Sequence, residues 1–239
     1  MRLHDQRVVV IGGTSGMGMA LAEKALVEGA SSVVVVGRTK EGAEKAASRL
    51  GDKVAAMSLD IGNEAEVAAF FNKVGNLDHL VTTAAQLTYG PLAELKTEAI
   101  EQMLASKFWG PFFAARYAAP RLSASGSITF FSGLAAYRPG PGTSVVASLN
   151  AALEGFAKAL AVELAPVRVN CISPGVVETA GWNFMPEKDR LALFDHLRMT
   201  LPARRIGEPA DLADAAVSVM TNPYITGTVL AVDGGGSLA

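Results

Sequence analysis

The segment Gly12-Gly13-Thr14-Ser15-Gly16-Met17-Gly18 combines what a phosphate-binding loop needs. Glycines permit a tight turn and let backbone N–H groups approach a pyrophosphate, and the positive end of a following helix favours the same anion. The β-branched run Arg7-Val8-Val9-Val10-Ile11 precedes the loop, and Met17, Leu21 and Ala25 follow at four-residue spacing. That strand, turn and helix order predicts dinucleotide binding, although a turn that only needs positive φ would explain the glycines taken alone. Other chemistry-bearing residues are sparse. His4, His79 and His196 lie far apart without metal-ligand spacing, so no metal site is expected. Asp195 and His196 adjoin but have no credible nucleophile partner. Cys171 is the single cysteine, which permits neither an internal disulfide nor a cysteine metal cluster and fits a reducing compartment.

Holding such a loop takes a frame, and the apolar pattern supplies one. After the first strand and helix, with Gly29 as a C-cap, Ser32-Val33-Val34-Val35-Val36 ends at Gly37 and completes a strand, helix, strand unit. The alternation then predicts a helix over 40–50, a strand over 54–59, a helix over 65–74, a strand over 78–82, a long helix over 97–119 and a strand over 127–131. A helix with Leu149, Leu153, Phe156, Leu160 and Leu164 on one face, a strand over 168–172 and a last strand over 229–232 close the set. Parallel neighbours need crossover helices. The order therefore specifies an α/β fold, a Rossmann-type doubly wound parallel β-sheet flanked by helices on both faces, as a single domain over 1–239.

Composition narrows the function classes. Of 239 residues, 50% are hydrophobic and 18% charged, and the 24 Gly and 11 Pro are spread along the chain, which excludes disordered, collagenous and disulfide-scaffold classes. A formal net charge of −2 supplies no basic surface for a polyanion, so nucleic acid is not an expected partner. The start has no apolar stretch behind a basic head, and no run reaches the roughly 20 apolar residues of a membrane span. The expectation is a cytoplasmic protein without a membrane partner.

Four motifs, in order, resemble the short-chain dehydrogenase/reductase family: Gly12, Gly16 and Gly18 spaced as Gly-x-x-x-Gly-x-Gly; Leu59-Asp60-Ile61; Ser173-Pro174-Gly175-Val176-Val177-Glu178-Thr179; and Val232-Asp233-Gly234-Gly235. The likeness runs from about residue 5 to 236. It implies that Gly12, Thr14, Ser15, Gly16, Met17 and Gly18 hold a dinucleotide's phosphates and that Asp60 and Ile61 lie near its adenine. It sets Pro174, Gly175, Val177 and Thr179 around the nicotinamide carboxamide and phosphates. Thr83 and Ala84, within Thr82-Thr83-Ala84-Ala85, stand where the family usually carries Asn-Asn-Ala-Gly. For Asp60 a helix N-cap is an equally good local explanation. Where the family often has an acid for the ribose 2′-hydroxyl, this chain reads Gly37-Arg38-Thr39-Lys40. Arg38, with Thr39 beside it, can pair with a 2′-phosphate that an acid would repel, so the cofactor expected is NADP(H). Solvated loop charges are the other explanation of Arg38 and Lys40.

The family's catalytic Asn, Ser, Tyr and Lys are all replaced. Anchored on Gly126-Ser127-Ile128, Lys107-Phe108-Trp109-Gly110 and Ala151-Ala152-Leu153-Glu154-Gly155-Phe156, the likeness sets Gly133 at the Ser, Val146 at the Tyr, Asn150 at the Lys and Lys107 at the Asn. Val146 can do no acid–base work, a loss of about 10² to 10⁴ in rate. Lys and Asn have nonetheless changed places, which would keep one ammonium and one amide at the nicotinamide ribose; a solvated Lys107 and a merely tolerated Asn150 explain the same letters. Ser132, Tyr137 and Ser148 are the replacement hydroxyls nearby. Tyr137 is the more plausible acid of these, though packing is the commoner use of such a tyrosine. The resemblance sets the substrate lid at 181–202, where the apolar Trp182, Phe184, Leu191 and Phe194 suggest an apolar small molecule; packing of the lid onto the core explains the same residues equally well.

These readings point to an NADP(H)-dependent oxidoreductase acting on a carbonyl or alcohol, or on an activated double bond, by a non-standard proton path. The alternative is a catalytically inactive NADP(H)-binding sensor or scaffold, and a third reading is a redox-neutral isomerisation. Apolar faces near 100–119 and 149–164 suggest a homo-oligomer, dimer or tetramer, although burial within the monomer would explain part of them.

Overall fold

The computed structural model describes residues 1–239. Seven parallel strands form one sheet in the order β3-β2-β1-β4-β5-β6-β7. They are β1 Arg7–Ile11, β2 Ser32–Gly37, β3 Val54–Ser58, β4 Leu77–Thr82, β5 Leu122–Phe131, β6 Arg168–Pro174 and β7 Val229–Val232. The order reverses between β1 and β4, where a crevice opens at the carboxyl ends of the strands. Helices α1 Gly16–Val27, α2 Lys40–Leu50, α3 Glu64–Val74, α4 Thr97–Leu104, α5 Gly110–Ala118, α6 Ser144–Glu163, α7 Glu187–Thr200 and α8 Pro209–Thr221 cover the sheet and its loops.

Each strand alternates its side chains between two apolar layers. Val8 and Val10 point into the layer of Leu21, Ala25, Ala216, Val217 and Met220 from α1 and α8. Val9 and Ile11 point into the layer of Val67, Phe71, Ala114, Leu153 and Leu160 from α3, α5 and α6. Burial on both faces is why β1 reads as an unbroken apolar run. Helix α6 has the length and composition of a membrane span, yet it lies on the sheet through Leu153, Ala157 and Leu160 and also buries Asn150 and Glu154.

Several features depart from the sequence reading, among them helix α7 within the segment expected only as a lid and a β5 that begins at Leu122 rather than at 127. The helix expected over 97–119 is interrupted by a π turn, Ala105–Trp109, between α4 and α5. Pro111 has no N–H to donate to the Lys107 carbonyl, so the i to i−4 ladder cannot continue and the turn widens there. Helix α8 was not anticipated. It packs on α1 through Ala213 and Ala216, facing Ala22 and Ala25, and small residues permit close approach while giving a weak hydrophobic signal. Its carboxyl end is held by the buried Arg168, whose guanidinium donates to the carbonyls of Val219, Met220, Asn222 and Ile225.

His79, 1% exposed in β4, sits opposite Ser127 of β5 in register. Its Nδ1 lies 2.8 Å from Ser127 Oγ and its Nε2 2.8 Å from Gln6 Oε1, so Nε2–H donates to the amide oxygen and the serine hydroxyl donates to Nδ1. Burial, with Arg168 adding to it, pushes its pKa down from 6.5 to about 4. On acidification the unfolded chain takes up this proton first, so the neutral imidazole's contribution is intact above pH 6.5 and lost as pH falls toward 4. The loss totals about 3 kcal/mol. Chemical denaturation at pH 7.0 and 4.5 should show His79→Gln losing less stability across that interval than the wild type. Equal losses in the two proteins would show that other groups carry the acid sensitivity.

Candidate active site

Glycines at the β1–α1 turn are required by geometry. Gly12 and Gly16 adopt φ of +91° and +51°, a region costly for residues with a Cβ. A Cβ on Gly12 would stand 2.5 Å from Thr83 Oγ1 and 2.6 Å from Ala84 N, and one on Gly18 would stand 2.2 Å from the Gly12 carbonyl oxygen. The Thr83 N–H donates to the Ile11 carbonyl at 2.8 Å and its hydroxyl to the Gly12 carbonyl at 3.2 Å, which ties the end of β4 to the loop. Ser15 precedes α1 without capping it through its side chain, and no acid sits in the first turn. That helix end therefore keeps N–H donors and a positive dipole for an anion.

The other expected cofactor contacts surround the same crevice. Pro174 closes β6 in register with Val232, and a Cβ on Gly175 would meet Asp233 Cα at 2.7 Å. The Thr179 methyl lies 3.4 Å from where a Gly16 Cβ would be, so the loop after β6 arches over the glycine loop. Met17 and Val177 place their side chains in the α1 and α8 layer and offer the crevice only backbone. Arg38 has one polar contact, Nη1 to Gln86 Oε1 at 3.4 Å, and no carboxylate neutralises it. At Gly37 a Cβ would stand 2.6 Å from the Thr14 methyl. Thr39 caps α2, its Oγ1 accepting from Gly42 N at 3.2 Å. The N-cap reading of Asp60 is corrected: its Oδ1 accepts from Gly62 N at 2.9 Å in a local turn, while Asn63 caps α3 by accepting from Ala65 N and Glu66 N. Ile61 is buried against Gly110.

At the other end of the crevice, two helices converge on the carboxyl end of β5. Lys107, on the π turn and 6% exposed, donates from Nζ to the carbonyls of Phe131 and Ser132 at 2.8 and 2.9 Å. Asn150, on α6 and 3% exposed, donates from Nδ2 to the Gly133 carbonyl at 3.3 Å, and its buried Oδ1 has no partner in the protein. Three consecutive carbonyls are thus gripped by an ammonium and an amide. A Cβ on Gly133 would lie 2.9 Å from Asn150 Nδ2, so the amide fills the room in which a serine side chain would begin. Val146 is buried with Met103 and Leu149. Burial brings the Lys107 pKa down to about 8.

Ser132 and Tyr137 meet at a residue the sequence reading missed. Ser132 Oγ donates to Glu154 Oε1 at 2.8 Å and the Tyr137 hydroxyl to Glu154 Oε2 at 2.6 Å. Glu154 is 6% exposed, whereas Tyr137 is 53% exposed. Burial of the hydroxyl, then its bond to the carboxylate, pushes the Tyr137 pKa up to about 12. The available signal for Glu154 was an acid four residues after Asn150, on a face otherwise made of Leu149, Leu153 and Leu160. Ser148 is not brought into this cluster: it is exposed on α6 and donates to the Ser144 carbonyl.

Comparison with known proteins agrees with this architecture. A family model described as enoyl-(acyl carrier protein) reductase matches residues 12–237. The chain is 33% identical to a short-chain dehydrogenase/reductase from Acremonium sp. over 100% of this chain and 97% of that one. It is likewise 33% identical to the human (Homo sapiens) 3-oxoacyl-[acyl-carrier-protein] reductase, over 97% and 98% of the two chains. Among solved structures, a small-chain dehydrogenase in complex with NADPH superposes with a TM-score of 0.85 at 35% identity, covering 98% of this chain and 100% of the other. Sheet order, glycine loop and end-to-end likeness agree: the chain belongs to the short-chain dehydrogenase/reductase family.

Proposed function

We propose that the protein is an NADP(H)-dependent oxidoreductase that transfers hydride to or from a carbonyl or alcohol, or an activated double bond, of an apolar small molecule. The observation that carries this is the convergence of Lys107 and Asn150 on residues 131–133. An inactive scaffold needs no buried ammonium opposite an amide whose oxygen lacks a donor. The residues also fit the nucleotide. The glycine cradle closes if a Cβ is added, Asn150 Oδ1 is a buried acceptor suited to a ribose hydroxyl, and Arg38 is an unneutralised cation where a 2′-phosphate would lie. The reductase names among the relatives and the NADPH complex of a similar dehydrogenase support the same reading.

When bound, the nicotinamide supplies or accepts the hydride. Lys107 keeps the end of β5 in place and holds a proton that it can release near pH 8. Tyr137, Glu154 and Ser132 form a chain of hydrogen bonds from a half-exposed phenol to the buried Ser132 hydroxyl, and we assign the replacement proton path to this chain. A homo-oligomer is supported by an aromatic cluster on α5 and the π turn, where the exposed Trp109 stacks on the half-buried Phe113, and the half-buried Phe112 on Phe156 of α6.

Calorimetry with NADPH and NADH, followed by NADPH oxidation with apolar ketones and enones, tests the proposal. Arg38→Ala should weaken NADPH binding about tenfold or more and leave NADH within about twofold, the loss of one charge-assisted phosphate contact. Equal losses for both nucleotides would refute the 2′-phosphate assignment. Tight NADPH binding with no oxidation across the panel would favour the sensor.

A further inference from the structure

The loops that follow β4 and β6 flank the end of β5 on its two sides, because β5 lies between those strands. Each sends an aromatic ring across the gap. Tyr89, after β4, and Phe184, before α7, stack with ring centroids 5.9 Å apart and planes 18° from parallel. Both remain open to solvent, at 45% and 64% exposure.

Phe184 rests on a fixed support. Its other neighbour is Trp182, stacked at 6.0 Å, and Trp182 is pinned by its Nε1–H donating to the Val177 carbonyl at 2.9 Å and by an edge contact with the buried Phe194. The loop carrying Tyr89 is anchored separately, through Gly90 N donating to the Gly142 carbonyl at 3.0 Å. Two independently mounted rings, on the loops that follow the two neighbours of β5, therefore stack on each other.

We infer that Tyr89 and Phe184 form a stacking gate that selects a substrate whose body is a flat, unsaturated ring, an aromatic or conjugated cyclic ketone. This rests on the proposed oxidoreductase reading and specifies its substrate class. At a centroid distance of 5.9 Å the two rings form an offset stack in contact with each other, so a flat ring enters when the loops part by about one ring thickness, about 3.5 Å, and takes the place of that contact on both faces. A puckered saturated ring is thicker and loses the face-to-face attraction that aromatic pairs have beyond area burial.

The test uses 2-acetylnaphthalene and its decahydro analogue, which share carbon count and carbonyl. Binding is measured by calorimetry with NADP⁺ present, so that no ketone is reduced, and repeated without nucleotide. The wild type should bind the aromatic ketone about tenfold tighter. Tyr89→Leu and Phe184→Leu should each bring that ratio below about threefold, and Tyr89→Phe should preserve it. A wild-type ratio near one, no binding of the aromatic ketone, or a ratio unmoved by both leucine variants would overturn the gate. Failure to load NADP⁺ would overturn the oxidoreductase reading, while the nucleotide-free titration still decides the gate.

Discussion

Gly18→Ala is expected to weaken nucleotide binding severely and to destabilise the fold. The new methyl carbon would lie 2.2 Å from the Gly12 carbonyl oxygen and 2.6 Å from Thr83 Oγ1. The nearer atom is backbone, so relief requires the loop or the start of α1 to move. Overpacking of this kind costs about 1 to 3 kcal/mol, and it displaces the N–H groups that would hold the pyrophosphate. NADPH affinity should fall at least about 100-fold, roughly 2.7 kcal/mol, by calorimetry, with a lower Tm in the same sample. Gly155→Ala is the matching control, because nothing lies within 4 Å of its added carbon and it is inside α6. That change should raise stability by about 0.5 to 1 kcal/mol. Should Gly18→Ala bind NADPH as the wild type does, the glycine loop is not the nucleotide's seat.

The second large effect concerns the exchanged pair. Lys107→Asn removes the ammonium that grips Phe131 and Ser132. Asn150→Lys alone adds a second ammonium to the same buried region. Two like charges about 5 Å apart at an effective dielectric of about 20 repel by about 3 kcal/mol, which corresponds to about 100-fold in rate or affinity. The double variant restores one cation and one amide. The repulsion in Asn150→Lys, and the two buried carbonyls left without their donor in Lys107→Asn, should each cost about 30- to 100-fold in NADPH-dependent turnover with the best ketone, and the double variant should recover to within about fivefold of the wild type. A cycle of four unfolding curves measures the coupling apart from catalysis. Additive losses would mean that Lys107 and Asn150 hold the end of β5 separately and are not an exchanged pair.

Much of the frame could be read directly because its signals are local. β1 and β7 begin and end where the apolar runs do, and α2 lies between Thr39 and Gly51, its cap and its stop. The glycine loop was readable because backbone sterics leave no alternative there. What escaped depends on partners distant along the chain. Glu154 acquires its meaning from Tyr137 and Ser132, 17 and 22 residues away. The alanines of α8 matter only once α1 is beside them. Ser148 has the right chemistry in the wrong direction, one residue round the helix from the buried face of Leu149 and Asn150.

The Thr14 methyl beside Gly37 couples two positions that look independent in the sequence. An acid introduced at 37 to recruit NAD(H) would first have to displace a carbon 2.6 Å from its own Cβ. Thr14→Ser deletes that carbon and keeps the hydroxyl. Nucleotide preference in this chain is therefore an epistatic trait: Gly37→Asp made first carries a steric penalty that the same change made after Thr14→Ser does not, so the route between the two preferences is open in one order and obstructed in the other.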